Sequence, residues 1–471
     1  QLEGTHQTSV VVIGAGMAGM VIACMLQEAG VKVIVLEADV AASGQTCGTT
    51  AKITSQHGMI YYELTERFGQ ERAGQYARAN ESAIGEYEKI IRERGIDCDF
   101  YRCPSYLYAM EGEDAPERLY RLRREIEAAK NLGIRAEYAA TAEELPFSIA
   151  GAEVFPDQAR FHPLKFLKGI AERLEIYEHS RVLRVKDNCV FTKEGMVEAE
   201  FIVFAVHFPW MITPGFYFLR MHQERSYVVA LGQMKPMEGM YRDMESHGLS
   251  FRSQGEYLLL GGSSHHTGKN KEGGNYEQLR KQARLLYPGK QEAACWSAQD
   301  GIPLDKVPYI GYLSPSVPNW YVAAGFQKWG MTSSMVSAMI IRDMILGKKN
   351  ENEDIFSPHR WNWKASASQL SGNIGSAVCN LSKRLMFFSI ETEEKLAPGQ
   401  GRVVRYQGKK AGVYRDLDGK IYAVDAGCQH MGCQLAFNPE EKTWDCPCHG
   451  SRYDYRGNLI CGPSQKGLVE K

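Results

Sequence analysis

Residues 426–454 bring two clusters of soft ligands close together, and few folds can absorb both. The first reads AGCQHMGC (426–433) and the second WDCPCHGSRYD (444–454), so Cys428, His430 and Cys433 are matched by Cys446, Cys448 and His449. Sixteen positions separate His430 from Cys446. Three readings compete for these six residues. A structural zinc takes four Cys/His ligands, commonly a C-x2-4-C pair with a later pair. A disulfide framework uses the cysteines and leaves the histidines idle. A two-iron, two-sulfur cluster can take two cysteines on one iron and two histidines on the other. C-x-H followed by C-x-x-H suits the third reading best, because zinc fingers rarely place Cys and His at a one-residue spacing.

The paired motifs resemble the Rieske iron–sulfur family. By that resemblance Cys428 and Cys446 hold one iron, His430 and His449 hold the outer iron, and Cys433 and Cys448 form a disulfide that ties the two cluster loops. Ser451 and Tyr453 stand where the family has hydroxyls that donate to the cluster sulfurs and favour its reduced form. Gly462-Pro463-Ser464 is similar to the proline-containing loop that covers such clusters. Exchanging two thiolates for neutral imidazoles raises the potential to roughly −150 to +300 mV, against about −400 mV for plant-type ferredoxins. The implied module is a one-electron carrier.

The front of the chain carries a second constraint. Residues 8–13 (TSVVVI) read as a buried strand. Gly14-Ala15-Gly16-Met17-Ala18-Gly19 then turns into a helix reaching Ala29, and Val31 to Leu36 is a second strand closed by Glu37. A lone GxGxxG says little, but strand, glycine turn, helix, strand and terminal acid together make a dinucleotide-binding unit. Gly14 permits the tight turn, Gly16 lets the main chain approach a pyrophosphate, and Gly19 lets helix and strand pack closely. The helix N-terminus offers partial positive charge, and Glu37 is placed for the adenosine ribose hydroxyls.

The fingerprint does not separate FAD from NAD. The next stretch, SGQTCGTTAKIT (43–54), is rich in small polar residues. It resembles the second FAD-contacting segment of the D-amino-acid-oxidase-like flavoproteins, the family of glycine and sarcosine oxidases, and that resemblance makes Ser43, Thr49, Thr50 and Lys52 FAD contacts. Later stretches are similar to the same family: FIVFAVH (201–207), DGIPLDKVPYIG (300–311), AAGF (323–326) and GMT (330–332). They imply that Gly325, Gly330, Met331 and Thr332 contact the flavin, with a helix from Met331 to Leu346 aimed at it. The resemblance covers most of residues 8–348. No second GxGxxG is present, which speaks against a separate nicotinamide site. Cys47 and His57 lie where a covalent flavin link would form, although no motif identifies one.

A chain of 471 residues exceeds one ordinary core. The expected architecture is an α/β (α+β) flavoprotein (1–348) with a Rossmann-type FAD-binding domain interleaved with a substrate sheet domain. A connector (349–385) and a small all-β Rieske domain (386–471) follow. Helices are expected over 58–95 and 114–132, substrate-sheet strands at Phe251-Arg252 and Tyr257–Gly262, and a hairpin turn at DLDGK (416–420). The connector begins in GKKNENED (347–354) and contains Trp361 and Trp363. The greasiest stretch, 201–219, is interrupted by His207, Pro209, Pro214 and Gly215, so it reads as strand then loop and not as a membrane span.

Net charge of −1 gives no reason to expect nucleic acid or an anionic membrane as partner. Of the 12 cysteines only four cluster, between 428 and 448, which points to a cytoplasmic enzyme, with a buried Cys433–Cys448 bond as the exception. The opening QLEGT lacks both regions of a secretory signal, and the missing initiator Met points to a trimmed start.

The fusion implies a dehydrogenase that oxidises a small amine or amino-acid-like substrate at its C–N bond, with electrons passing from FAD to the cluster and on to an external acceptor. Family members hold the substrate carboxylate with an Arg shortly before the D-x-x-P-x-I-G-like stretch, but WSAQD (296–300) has none. Arg252 is the substitute candidate, and His265, with His266, is a candidate pocket residue. A Rieske oxygenase needs a mononuclear iron on two His and a carboxylate, and no Asp-x2-His-x4-His-like run is present. A reductase running from an external donor through the cluster to FAD, and a noncatalytic electron-transfer or redox-sensing protein, are the alternatives.

Overall fold

Val10, Val11, Val12 and Ile13 are almost fully buried, as a strand covered on both faces must be. In the computed structural model, which describes residues 1–360 and 392–471, they end the strand Gly4–Ile13. That strand runs parallel to Val33–Leu36 on one side and to Gly195–Phe204 on the other. Between the first two strands lies the helix Met17–Glu28, buried from Met17 to Leu26. Trp361, Trp363, the rest of the expected connector from 361 and the first residues of the expected β-module lie outside the described residues.

Among the described residues the strands fall into four sheets. The first follows the order Tyr309–Ser314, Val317–Ala324, Gly195–Phe204, Gly4–Ile13, Val33–Leu36, Glu175–Tyr177. Along that order it is parallel except for the hairpin of its first two strands, and a second hairpin, Arg184–Lys186 with Cys189–Phe191, joins Gly195–Phe204 antiparallel. The second sheet has nine strands and is antiparallel in all but one pairing. Its strands, among them Met221–Leu231, Ser250–Gln254 and Tyr257–His266, come from chain segments lying between those of the first. The chain therefore crosses repeatedly between sheets, and the two subdomains interleave.

Two helices pack the first sheet from one core cluster, Met17–Glu28 and Gly330–Ile345. Tyr61–Arg94 is two helices that meet at Gly69, whose φ of 81° is outside helical geometry. Ala115–Asn131 is helical. Gly195–Phe204 ends in a loop that reaches a short helical turn at Tyr217–Arg220, as the prolines and glycine of that stretch require. No helix among the described residues is long and apolar enough to cross a membrane.

The C-terminal module is built from two small antiparallel sheets, one of three strands (Gly401–Tyr406, Lys409–Arg415, Ile421–Val424) and one of four ending at Leu459–Cys461. Its core holds the fully buried Trp444, Tyr414 and Tyr453 together with Cys428, Cys433 and Cys446.

Candidate functional site

The parallel strands deliver their C-terminal ends to one cavity of about 530 Å³, within the range that holds small-molecule and cofactor sites. Gly14 and Gly16 line it, and so do Glu37, Ser43, Thr49, Thr50, Lys52, Gly325, Gly330 and Met331. Gly14 has φ +105°, and a Cβ there would stand 2.5 Å from the Ala205 carbonyl oxygen. Gly19 sits behind the cavity, where a Cβ would lie 1.8 Å from the Gly14 oxygen. Both glycines are thus imposed by the crossing of helix and strand. The Glu37 carboxylate accepts from Ala15 N at 2.8 Å and Asp39 N at 3.0 Å, fixing it at the mouth of the turn. This open glycine turn at a helix N-terminus, with an acid at the end of the next strand, fits FAD's pyrophosphate and ribose.

Several sequence candidates stand outside the cavity lining. Thr332 is buried against the adjoining loop, its hydroxyl donating to Thr54 O at 3.1 Å. Arg252 is 2% exposed and its guanidinium donates to Phe161 O and Gln254 Oε1, each at 2.7 Å, so it braces the sheet. His265 stacks on Tyr227 with centroids 5.7 Å apart, and His266 Nε2 donates to Pro447 O at 3.0 Å. Both face the C-terminal module and not the cavity. Cys47 donates to Ser43 O and Gly44 O. His57 is saturated by Tyr76, Thr54 and Thr332 and lies stacked on Trp329.

In their place the cavity presents Arg242 and Lys328, which no sequence pattern had marked, beside Lys52, which the family resemblance makes an FAD contact. Arg242 and Lys52 line it, and neither makes an ion pair or a side-chain hydrogen bond among the described residues. The Arg242 guanidinium lies 4.9 Å from the Trp329 ring centroid. Burial, with Arg242 and Arg252 nearby, lowers the Lys52 ammonium to about 7. Lys328 also lines the cavity, with Asp300, Ser226 and Ser264. Burial raises the Asp300 carboxyl to about 6, against the opposing pull of Lys328 and Arg242. The cationic side chains leave the cavity complementary to an anion.

In the C-terminal module the two imidazoles converge. His430 Nδ1 and His449 Nδ1 are 3.3 Å apart with rings at 89°, close to the roughly 3.4 Å expected of two nitrogens about 2.1 Å from one tetrahedral metal. Cys428 and Cys446 are buried beside them. The Tyr453 hydroxyl lies 3.5 Å from Cys428 Sγ and accepts from Gln429 N at 3.1 Å. Ser451 is buried, its oxygen accepting from Ser464 N at 3.0 Å. These donors fit a cluster with a histidine edge. Cys433 and Cys448, expected as a disulfide, are not joined in this structure. Their sulfurs and that of Cys446 lie within 4.8 Å of one another, a crowd of three thiols in place of a bonded pair.

The histidine edge is docked against the flavoprotein. His449 packs on Phe208 and Phe218, with centroids 6.0 and 5.8 Å away. His430 faces the main chain of Trp210, its Nε2 buried without a hydrogen bond of good geometry. Gln223 joins the two units: its Oε1 accepts from the cavity residue His207 at 2.9 Å, and its Nε2 donates to His449 O at 2.6 Å. Gln299 donates to Gly450 O at 2.9 Å. Arg225, 2% exposed, pairs with Glu441 at 2.6 Å. Segment 459–465 completes one wall of the cavity.

Comparison with known proteins agrees with this geometry. Residues 9–344 match the family model described as FAD dependent oxidoreductase, and residues 386–470 match the Rieske [2Fe-2S] domain. Over its whole length the chain is 35% identical to the "Putative Rieske 2Fe-2S iron-sulfur protein YhfW" of Bacillus subtilis (strain 168), covering 94% of that protein. Similar folds include glycine oxidase from Geobacillus kaustophilus (TM-score 0.61, 20% identity, 76% of this chain and 99% of that one). L-amino acid deaminase from Proteus vulgaris is another (TM-score 0.59, 18% identity, 76% of this chain and 100% of that one). The chain therefore belongs to the FAD-dependent oxidoreductase family, with a Rieske domain behind the flavoprotein, and it is an oxidoreductase whose cofactors are FAD and a [2Fe-2S] cluster.

Proposed function

We propose that this enzyme is a dehydrogenase for a small amine or amino-acid-like substrate that carries an anionic group, and that its electrons leave through its own Rieske module. The observation that carries the reading is the Gln223 link, in which one side chain bonds both a cavity wall residue and a main-chain oxygen of a cluster histidine. Bound FAD supplies two-electron hydride acceptance and the cluster one-electron transfer.

The protein's own share is orientation. Arg242 and Lys52 hold the substrate anion, in the role first assigned to Arg252, and Trp329 fixes the guanidinium plane. A neutral amine held this way needs only its C–H aligned over the acceptor, so positioning supplies most of the rate. Cys428, Cys446, His430 and His449 are the proposed iron ligands, with Cys433 and Cys448 closing as a disulfide in the loaded protein. Arg242 and Lys52 line the cavity with no ion pair to the protein among the described residues, which counts against a purely noncatalytic carrier.

An anaerobic titration of the loaded protein with amines, N-methyl amines and amino acids tests this, following flavin bleaching near 450 nm beside the cluster's EPR signal. Flavin bleaching followed by growth of the cluster signal supports it. If no compound bleaches the flavin while a donor protein reduces the cluster first, electrons run inward and the enzyme is a reductase.

A further inference from the structure

Amine oxidation breaks one C–H and one N–H bond and forms C=N, releasing two electrons and two protons per substrate. A one-electron acceptor fed through an iron–sulfur cluster takes the electrons and leaves both protons in the cavity. We infer that the chain Asp300–Ser226–Ser264–Lys328–Glu224–His222 is the proton exit that accompanies electron transfer to the Rieske module. The inference rests on the outward electron flow proposed above.

Hydrogen bonds join the inner members of the chain, and contacts of ion-pair length carry it outward from Lys328. Ser226 Oγ lies 3.4 Å from Asp300 Oδ2 and 3.1 Å from Ser264 Oγ. Lys328 Nζ is 2.6 Å from Ser264 Oγ and 3.9 Å from Glu224 Oε2. Glu224 Oε1 is 3.6 Å from His222 Nε2. The first four residues line the cavity, whereas Glu224 and His222 do not. Their side chains are 33% and 24% exposed, so the chain begins at the reacting space and ends where solvent begins. A turn of the Lys328 side chain between Ser264 and Glu224 bridges the inner and outer halves.

The groups are also poised in sequence. Asp300 faces Lys328, Glu224 and Arg242, and its carboxyl is raised to about 6 chiefly by burial. Lys328 faces Arg242, Asp300 and Glu224, and burial lowers its ammonium. Glu224 faces His222, Lys328 and His266, and the contact with His222 holds it down at about 2. His222 stacks on His266 with centroids 5.1 Å apart. Asp300 and Lys328 thus release protons readily, and the Glu224 carboxylate, which stays ionised, draws the Lys328 ammonium outward toward the partly exposed His222 imidazole, the group that takes the proton on. A purely structural ion cluster has no need of two hydroxyls reaching into the cavity.

The test uses the holoenzyme reduced anaerobically with dithionite, so that it does not depend on any substrate. After gel filtration the protein is mixed with ferricyanide in weakly buffered phenol red, and proton release, flavin reoxidation and freeze-quenched cluster EPR are followed separately. Wild type should release its protons as the flavin reoxidises. Glu224→Gln and Lys328→Met should each slow release and flavin reoxidation at least about tenfold, with the first cluster oxidation unchanged and Glu224→Asp largely restored. In the apoprotein, infrared titration should show a protonated carboxyl band lost near pH 6 that is absent in Asp300→Asn. If both Glu224→Gln and Lys328→Met release protons at the wild-type rate while keeping flavin and cluster, the exit lies elsewhere. If amines fail to reduce the flavin yet these variants slow proton release, the substrate reading falls and the proton path stands.

Discussion

Replacing Arg242 by Met should separate binding from stability. The guanidinium lines the cavity over Trp329 and has no carboxylate within ion-pair distance among the described residues, so removing it breaks no ion pair, while Asp300 keeps the pull of Lys328. What it loses is the charge-assisted hydrogen bond to the ligand, about 1.5–3 kcal/mol, which is about 10- to 150-fold in Kd. Part of the desolvation that lowers the Arg242 guanidinium is relieved by the same change. The cation–π contact it gives up is worth about 0.5–2 kcal/mol and opposes that relief, so Tm should change little. The assay is anaerobic flavin difference spectroscopy with a carboxylate-bearing amine and its methyl ester, beside thermal unfolding of the same preparations. Wild type should prefer the carboxylate, and Arg242→Met should lose most of that preference, keeping only the part that Lys52 supplies. An equal loss for acid and ester, or a Tm drop of several degrees, would show that Arg242 is structural and that the anion sits elsewhere.

Gly268 has φ +75°, and an added Cβ would lie 2.6 Å from Pro447 N and 2.7 Å from Pro447 Cα. Gly268→Ala should therefore wedge the Rieske module off at a cost of about 1–3 kcal/mol, slowing cluster reduction in stopped-flow while flavin reduction by substrate keeps its rate; equal slowing of both steps would contradict the docking argument. Lys52 is cationic below about 7 and neutral above it, so affinity for a carboxylate ligand should fall as pH rises through that value, and Lys52→Met should remove the inflection. Its share of folding stability runs the other way: the unfolded chain binds the extra proton between about 7 and the usual lysine pKa, so stability rises with pH across that window. Tyr453→Phe removes the hydroxyl 3.5 Å from Cys428 Sγ; losing a bond of about 0.5–1.5 kcal/mol should lower the cluster potential by roughly 20–65 mV, measurable by EPR-monitored redox titration. Alkylation and mass analysis of the loaded protein should find Cys433 and Cys448 blocked until a reductant is added.

What could be read from the sequence, and what could not, follows from how local each constraint is. The glycine turn at Gly14–Gly19 and the Cys/His pairs at 428–449 are short segments whose residue types are forced by contacts a few positions away. Gly19 meets the Gly14 oxygen, and His430 and His449 meet each other. Such segments announce themselves. Arg242 does not, because it stands in the four-residue strand Met240–Asp243 and reaches the cavity only through that strand's pairing with Tyr101–Met110 and Ser250–Gln254. Arg252 was the natural choice from its strand, yet strand alternation and the nearby Phe161 carbonyl turn it into the sheet. His265 and His266 were drawn toward the cavity by their chemistry, but the Rieske module occupies the face they present. That last displacement carries the most information. A chain whose flavoprotein surface holds Gln223, Arg225, His266 and Gln299 all bonded to a second module has spent its polar groups on docking. Two independent carriers sharing a polypeptide would leave those groups to water. Here they bring the histidine edge of the cluster to Phe208, on the loop that leaves the cavity wall at His207, and to Phe218, in the helical turn that ends that loop. The interface, more than either motif alone, argues that flavin and cluster work as one redox unit.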